Sequence, residues 1–400
     1  MEKKKPNNLR PLIELVKLMK ATIRDPRVQG RSKHLLIDII VITICAILCA
    51  AETVSEIEDF AVEREDWLRK YLKLPNGIPS HDTFSRVLSI IDTKQMQIAF
   101  SQWTLSQGVA QAKSLSLDGK CTKGTERSFN RGKQALKIVS AYAHDLGLSL
   151  VESSVDDGSE IDAALACLEL LDLKDVLVQV DAGIGVHRVV TEVRNKKGDY
   201  LVPLKANQWH SRDEVEKCLE KRNARVKTAQ TEEESAHGRS ERRSCALLSI
   251  GKMGEKFQAQ WPDAKTIFSI TRERVEEDKR YVLQETGQDK KQTYRLNESD
   301  LKYSVEVIHY VSSRKLTAVQ ALKEVRSHWG IENKVHWVLD VAFREDQWAV
   351  RSKSLAQKLS LIRKIGLNIV RQTPGKGGIR RRMKRASWNV EHLEAMIFKF

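Results

Sequence analysis

Val325-Arg326-Ser327-His328-Trp329-Gly330-Ile331-Glu332-Asn333-Lys334-Val335-His336-Trp337-Val338-Leu339-Asp340-Val341-Ala342-Phe343-Arg344-Glu345-Asp346 is the stretch on which the reading of this chain turns. From Ala318 onward, apolar residues recur at Val319, Leu322, Val325, Trp329, Leu339 and Phe343. Apart from the gap between Trp329 and Leu339 they are three or four residues apart, the period of an amphipathic helix. On that helix His328, Glu332, His336 and Asp340 fall on one stripe, and Trp329 and Trp337 beside it are expected to anchor the helix on the core. Glu332 is then a carboxylate at the edge of buried surface. Gly330 costs a helix about 1 kcal/mol relative to alanine and so points to close packing at that turn. Two other readings compete. One is a solvated acidic stripe on a surface helix. The other is a His-x3-Glu-x3-His zinc site, which no nearby cysteine or further histidine completes.

Outward from this helix, 400 residues are too many for one small core and predict two or three units. A net charge of +15 and a pI near 9.4 point to a polyanionic partner, because Lys and Arg gain by displacing condensed counterions from nucleic acid. The cysteines (Cys45, Cys49, Cys121, Cys167, Cys218, Cys245) are scattered, without a disulfide framework or zinc ribbon, which fits a reducing cytoplasm. Leu35 to Ala51 is the one candidate membrane span. It reaches only about 17 residues, the lower limit for a bilayer, and carries Asp38 near its start, so it reads as a buried core helix.

Residues 1–105 read as an all-helical domain: Leu9 to Ile23, the buried helix, Val54 to Leu72, and a helix to Ile91 capped by Ser80 or Asp82. The Pro/Gly turn at Pro75-Asn76-Gly77 makes a helix-turn-helix one option there and a packing module the other. From Lys113 the period becomes that of strands. Ser114 to Lys120, Leu136 to Tyr142, Leu148 to Val155, Val176 to Asp181 and Asp199 to Leu204 alternate with helices at Glu160 to Leu171 and Val186 to Lys196. This is a mixed α/β sheet, with 110–208 as the first part of the core. Residues 209–302, rich in charge and with strand-like runs at Ala246 to Ile250, Thr266 to Thr271 and Tyr281 to Gln284, read as a largely β insertion. Strand Val305 to Val311 returns to the core, whose second part, 303–372, holds the Glu332 helix and a helix from Leu355 to Val370. Residues 373–400 read as a basic tail, with Lys376, Arg380, Arg381, Arg382, Lys384 and Arg385 behind a glycine-rich hinge.

In open α/β sheets reactive groups gather at strand carboxyl ends, and Asp118 and Asp181 each read as the last residue of an apolar strand. Each alone is as readily a turn-former. Together they are hard ligands suited to Mg²⁺ or Mn²⁺. With Glu332 as a third ligand they make a candidate two-metal site for phosphodiester chemistry, of the kind with ions about 3.5–4 Å apart.

These residues carry a resemblance. The chain resembles the DDE transposases of bacterial insertion sequences, most closely the branch that includes the H-repeat-associated proteins. The likeness rests on Pro79-Ser80-His81-Asp82-Thr83-Phe84 with Arg86-Val87, Leu117-Asp118-Gly119-Lys120, Leu170 to Asp172 before the strand to Asp181, Lys205 with Asn207-Gln208, His237-Gly238-Arg239 with Glu241 and Arg243, and His328-Trp329-Gly330-Ile331-Glu332-Asn333 running on to Phe343-Arg344-Glu345-Asp346. It implies a ribonuclease-H-like core interrupted before its last catalytic helix. It implies Asp118, Asp181 and Glu332 as the catalytic, metal-binding triad, a two-metal Mg²⁺ or Mn²⁺ site, double-stranded DNA as partner and a homodimer in the DNA complex. Lys120, Lys205, Asn207, Gln208, Arg239, Arg243 and His328 become candidate DNA contacts, joined by Arg380, Arg381 and Arg382 of the basic tail. After Asp181 the branch usually continues Ala-Met-Gly-Cys-Gln, whereas here it runs Ala182-Gly183-Ile184-Gly185-Val186-His187. Two functions are open to such a chain: an active, cytoplasmic transposase that becomes nucleoid-associated on DNA, or a decayed, non-catalytic relative that still binds DNA.

Overall fold

The computed structural model describes residues 11–106, 112–123, 125, 135–155, 158–220, 227–230, 234–236, 239–248, 253–277, 281–284, 293–296, 301–348, 350 and 352–398. In chain order its helices are α1 (Pro11–Thr22), α2 (Leu36–Leu48), α3 (Val54–Glu63), α4 (Glu65–Leu68), α5 (His81–Ile90), α6 (Thr93–Ser106), α7 (Glu160–Glu169), α8 (His187–Asn195), α9 (Trp209–Glu220), α10 (Glu255–Gln260), α11 (Ala318–Ile331), α12 (Trp337–Val341), α13 (Lys353–Gln372), α14 (Ile379–Trp388) and α15 (Val390–Phe398). The strands are β1 (Ser114–Thr122), β2 (Leu136–Ala143), β3 (Leu148–Val155), β4 (Leu177–Val180), β5 (Asp199–Leu204), β6 (Lys227–Gln230), β7 (Glu234–Ala236), β8 (Arg239–Leu248), β9 (Thr266–Glu277), β10 (Tyr281–Gln284), β11 (Thr293–Leu296) and β12 (Leu301–Ser312). The chain is thus mixed α/β and divides into two compact units. One is Met1–Gln179 with Asn195–Gly198 and His328–Phe400; the other is Val180–Arg194 with Asp199–Ser327.

The first unit orders its strands β3-β2-β1-β4, with β1, β2 and β3 antiparallel in succession. Gly147 turns the β2–β3 hairpin at φ +71, a conformation cheap only without a Cβ, and its N–H reaches the Ala143 carbonyl at 2.9 Å. The helices gather on α2 and α13. Leu-Ile-Asp-Ile-Ile-Val-Ile-Thr-Ile-Cys-Ala-Ile-Leu is apolar nearly all round, and from Asp38 to Leu48 every residue of α2 is buried, which marks a core helix. Asp38 itself is buried and accepts the Leu74 N–H at 3.0 Å, so the charge that argued against a membrane span is satisfied inside the protein. No helix among the described residues is long and apolar enough to cross a membrane. Gly366 lets α13 close on this layer: a Cβ there would lie 3.3 Å from Phe343 and 3.6 Å from Ile47.

The second unit orders its strands β5-β12-β9-β8-β6, with β7 on β8 and a separate β10–β11 ribbon. β12 runs antiparallel to both β5 and β9. Residues 209–302, expected to be largely β, also hold helices α9 and α10.

Several expectations from the sequence are corrected. Val54 to Leu72 is not one helix, because Arg64 leaves helical geometry at φ −118, ψ 17 and separates α3 from α4. Ser80 precedes α5 without a side-chain cap bond; its Oγ lies 3.2 Å from Thr83 Oγ1 instead. β1 runs on to Thr122, so Asp118 is not a strand terminus but pairs with Ser140 inside the ladder. Residues 379–398 are not a solvated tail. Met383, Ala386, Leu393, Met396 and Ile397 of α14 and α15 are buried in the same core as α2. Leu9, Asp157, Glu232, Glu233, His237, Gly238, Ile250 and the side chains of Glu234 and Arg239 lie outside the described residues.

Candidate active site

The decisive stretch is three pieces rather than one helix. α11 ends at Ile331, a π-helical turn covers Glu332–His336, and α12 spans Trp337 to Val341. A π turn closes with about one residue more than an α turn, which rotates the residues downstream of it by roughly 100°. The single stripe therefore breaks: Glu332 is exposed, whereas His336 is buried. The two tryptophans do not anchor the helix, since Trp329 is 51% and Trp337 59% exposed, and Ile331, Val335 and Leu339 face the core in their place. The reason lies at Gly330, where a Cβ would come within 3.0 Å of His144 Nδ1. The closest approach runs along the glycine and turns Trp329 outward.

Around this turn the first unit assembles a polar centre on β1. Asp118 Oδ1 accepts the Gly119 N–H at 2.9 Å, and Asp118 Oδ2 lies 3.5 Å from His336 Nδ1. Burial, with Lys364 and Lys120 nearby, lowers the His336 pKa to about 3. The ring is therefore neutral near pH 7. Two residues earlier on β1, Ser116 Oγ lies 2.7 Å from His144 Nε2 and 3.0 Å from His328 Nδ1. Burial, with His328 and Lys334 adding to it, lowers the His144 pKa to about 4.

The remaining acids of the stretch are engaged elsewhere. Lys120 Nζ binds Asp340 and lies 2.7 Å from Glu345 Oε2, with only 11% of its side chain exposed. Glu345 is fully buried, with Arg363 Nη1 at 3.7 Å, and the Arg363 guanidinium stacks 4.0 Å over the Trp348 ring. Lys364 pairs with the buried Glu152. Asp346 Oδ1 accepts the Lys123 N–H at 3.0 Å. Glu345 and Asp346 thus tie this segment to β1 and to Lys123 just beyond it. Sequence reading missed this network, although Arg363 and Lys364 inside the apolar run of α13 were its signal, because buried charges need partners.

In the second unit Asp181 directly follows β4, as expected, and its Oδ1 accepts the Ile184 N–H at 2.8 Å. Gly185 is obligatory in this loop, since a Cβ would meet Val202 Cγ1 at 2.4 Å and the Asp181 carbonyl at 2.8 Å. Asn207 Nδ2 and Gln208 Nε2 donate to the Ala182 carbonyl at 2.5 and 2.7 Å, and Gln208 is buried.

Expected DNA contacts divide accordingly. Gln208 and Arg382 are buried and Lys120 is half-buried, and each is bonded within the protein, Lys120 to Asp340 and Glu345, Gln208 to the Ala182 carbonyl and Arg382 to the Thr373 carbonyl. His328 is half-buried against Ser116, Arg243 pairs with Glu241, and Arg380 donates to the Val341 carbonyl at 2.8 Å with Glu52 3.6 Å away. Lys205 and Arg381 are exposed. Among the described residues no three or more His, Cys, Asp or Glu side chains are gathered in a form ready to hold a metal ion.

Against known families, the model described as "Transposase DDE domain" matches residues 84–369, and one described as DDE_Tnp_1-associated matches residues 20–104. The chain belongs to the DDE transposase family. A putative transposase, YncI, of Escherichia coli O157:H7 is 32% identical over 386 residues, covering 94% of this chain and 93% of that one. The H repeat-associated putative transposase YhhI of Escherichia coli strain K12 is 30% identical over 394 residues, covering 96% and 98%. The chain therefore matches a member of the H-repeat-associated branch along nearly its whole length.

Proposed function

We propose that this DDE transposase catalyses phosphodiester hydrolysis and strand transfer at insertion-sequence ends, with Asp118, Asp181 and Glu332 as the ligands of Mg²⁺ or Mn²⁺. The observation that carries the reading is the bracketing of Glu332. Four residues before it His328 reaches Ser116, four residues after it His336 reaches Asp118, and Glu332 itself stays exposed while Asp340 and Glu345 are held by Lys120. The donor set fits a hard dication, being three carboxylates. A bound Mg²⁺ or Mn²⁺ supplies Lewis acidity to the phosphodiester and acidifies the attacking water or 3′-hydroxyl. The chain's own part is to fix the carboxylates: Lys120 ties β1 to the Glu345 segment, and Asn207 and Gln208 hold the Asp181 loop. The β3-β2-β1-β4 order with its antiparallel outer strands supports a ribonuclease-H-like core. Double-stranded DNA is the partner, a homodimer is the active form on DNA, and the protein works in the cytoplasm, on the nucleoid when DNA-bound.

Asp118→Asn and Asp181→Asn are each expected to abolish Mn²⁺-dependent nicking of supercoiled plasmid DNA while the protein still retains that DNA on a filter. Retention without nicking by the unaltered chain would establish the decayed, non-catalytic relative instead.

DNA binding is expected to weaken steeply with salt. Of the basic residues near the C-terminus, Lys376, Arg381 and Lys384 are exposed, whereas Arg382 is buried. Replacing those three by alanine lowers the slope of log K against log salt by up to about 3, at roughly 0.9 per phosphate contact. An unchanged slope removes this surface from the DNA interface.

A further inference from the structure

We infer that Ser116, His144 and His328 act as a positioning staple, holding the turn that bears Glu332 in register with the strand that bears Asp118. The inference rests on the reading of Asp118 and Glu332 as metal ligands, and it gives His328 a task other than touching DNA.

Ser116 is fully buried, and its single hydroxyl lies between two imidazoles, 2.7 Å from His144 Nε2 and 3.0 Å from His328 Nδ1. A hydroxyl has one proton and lone pairs to accept another, so it can donate to one ring and accept from the other. The chain joins three elements: β1 through Ser116, the end of β2 through His144, and the last turn of α11 through His328. His144 is itself held on two sides. Its ring meets Tyr142 edge-on at 5.3 Å between centroids, and Gly330 closes over its Nδ1.

One contact would leave the helix free to pivot. The second, His336 beside Asp118, lies eight residues further on, about 12 Å along an ideal helix axis. Glu332 sits midway between the two. The spacing also explains why the stretch needs its π turn, since without the extra residue His336 would not turn inward. Outer-shell partners of metal ligands set metal affinity in this way, typically by 10–100-fold.

The test compares the purified full chain with Ser116→Ala, His328→Ala, His328→Asn, His144→Ala, His144→Gln and Glu332→Gln variants. Asparagine places a polar atom where His Nδ1 lies and glutamine where His Nε2 lies, so His328→Asn and His144→Gln keep the bonds to Ser116. Two quantities are read: the Mn²⁺ concentration giving half-maximal plasmid nicking, and deuterium uptake by peptides spanning 328–341. In Ser116→Ala and both His→Ala variants half-saturation is expected to rise about 10-fold, with the rate at saturating Mn²⁺ changed far less. Exchange in 328–341 is expected to quicken by about 10-fold. His328→Asn and His144→Gln should stay close to the unaltered chain in both. Unchanged exchange and half-saturation in Ser116→Ala and His328→Ala overturn the staple. So does damage by His328→Asn as large as that by His328→Ala, which would assign the ring another role. If Glu332→Gln cleaves normally the ligand reading fails, and the exchange comparison alone then decides whether the staple exists.

Discussion

Replacing Glu332 with glutamine is expected to abolish Mg²⁺- or Mn²⁺-dependent strand cleavage, by on the order of 10³-fold, while DNA retention on filters persists. Glutamine keeps the length and hydrogen-bonding shape of the side chain and removes only the charge. Glu332 is exposed, so no buried partner is orphaned and the melting temperature should barely move. Asp340 lies eight residues further along and is held by Lys120, so Asp340→Asn is expected to leave cleavage largely intact. If Glu332→Gln cleaves normally and Asp340→Asn does not, the assignment of the helix ligand is wrong.

Glu345→Gln should act on the fold rather than on the chemistry. Glu345 is fully buried with Lys120 at 2.7 Å and Arg363 at 3.7 Å, so neutralising it leaves the buried Arg363 without the carboxylate beside it, at a cost of about 3–5 kcal/mol. That is a large share of the roughly 5–15 kcal/mol by which proteins are stable. Urea denaturation near pH 7 checks it, and nicking measured where the variant is still folded should survive. The pH dependence has a definite sign. Burial pushes the Glu345 carboxyl up, but Lys120, Lys364 and Arg363 pull it further down, so its folded pKa lies well below the ordinary 4.5. The stabilisation is present above about pH 4.5 and is lost as pH falls toward the folded value. Glu345→Gln should lack that part of the acid sensitivity. Equal stability of the two proteins near neutral pH would show that the network carries little.

Much of this was legible in the residues. β3, β5 and β10 lie where alternation and turn residues placed them, and α2 is the core helix that its length and Asp38 implied. Asp118, Asp181 and Glu332 stood out as candidates because each sits inside a motif several residues long. What stayed hidden depends on three-dimensional closeness. The π turn leaves no mark in apolar spacing, and the period took Trp329 and Trp337 as anchors although both are exposed. Helix α14 hid behind its own charge: in Ile-Arg-Arg-Arg-Met-Lys-Arg-Ala-Ser-Trp the inward set Arg382, Met383 and Ala386 contains an arginine, and a charge count reads such a segment as solvated. Lys120 belonged to a motif and so was assigned to DNA, when its partners were two acids more than 200 residues away.

The placement of α14 and α15 bears on how the protein is made. Arg64 donates to the Ser387 carbonyl at 3.0 Å, and Trp67 and Tyr71 reach Glu394 at 2.9 and 3.0 Å, so the segment around α4 packs against residues made more than 300 positions later. At about 5–20 residues per second the nascent helical layer is expected to wait tens of seconds with part of its apolar surface uncovered. An incomplete translation product would lack the helices that cover it. A fragment with that layer uncovered is expected to be a substrate for proteases and chaperones.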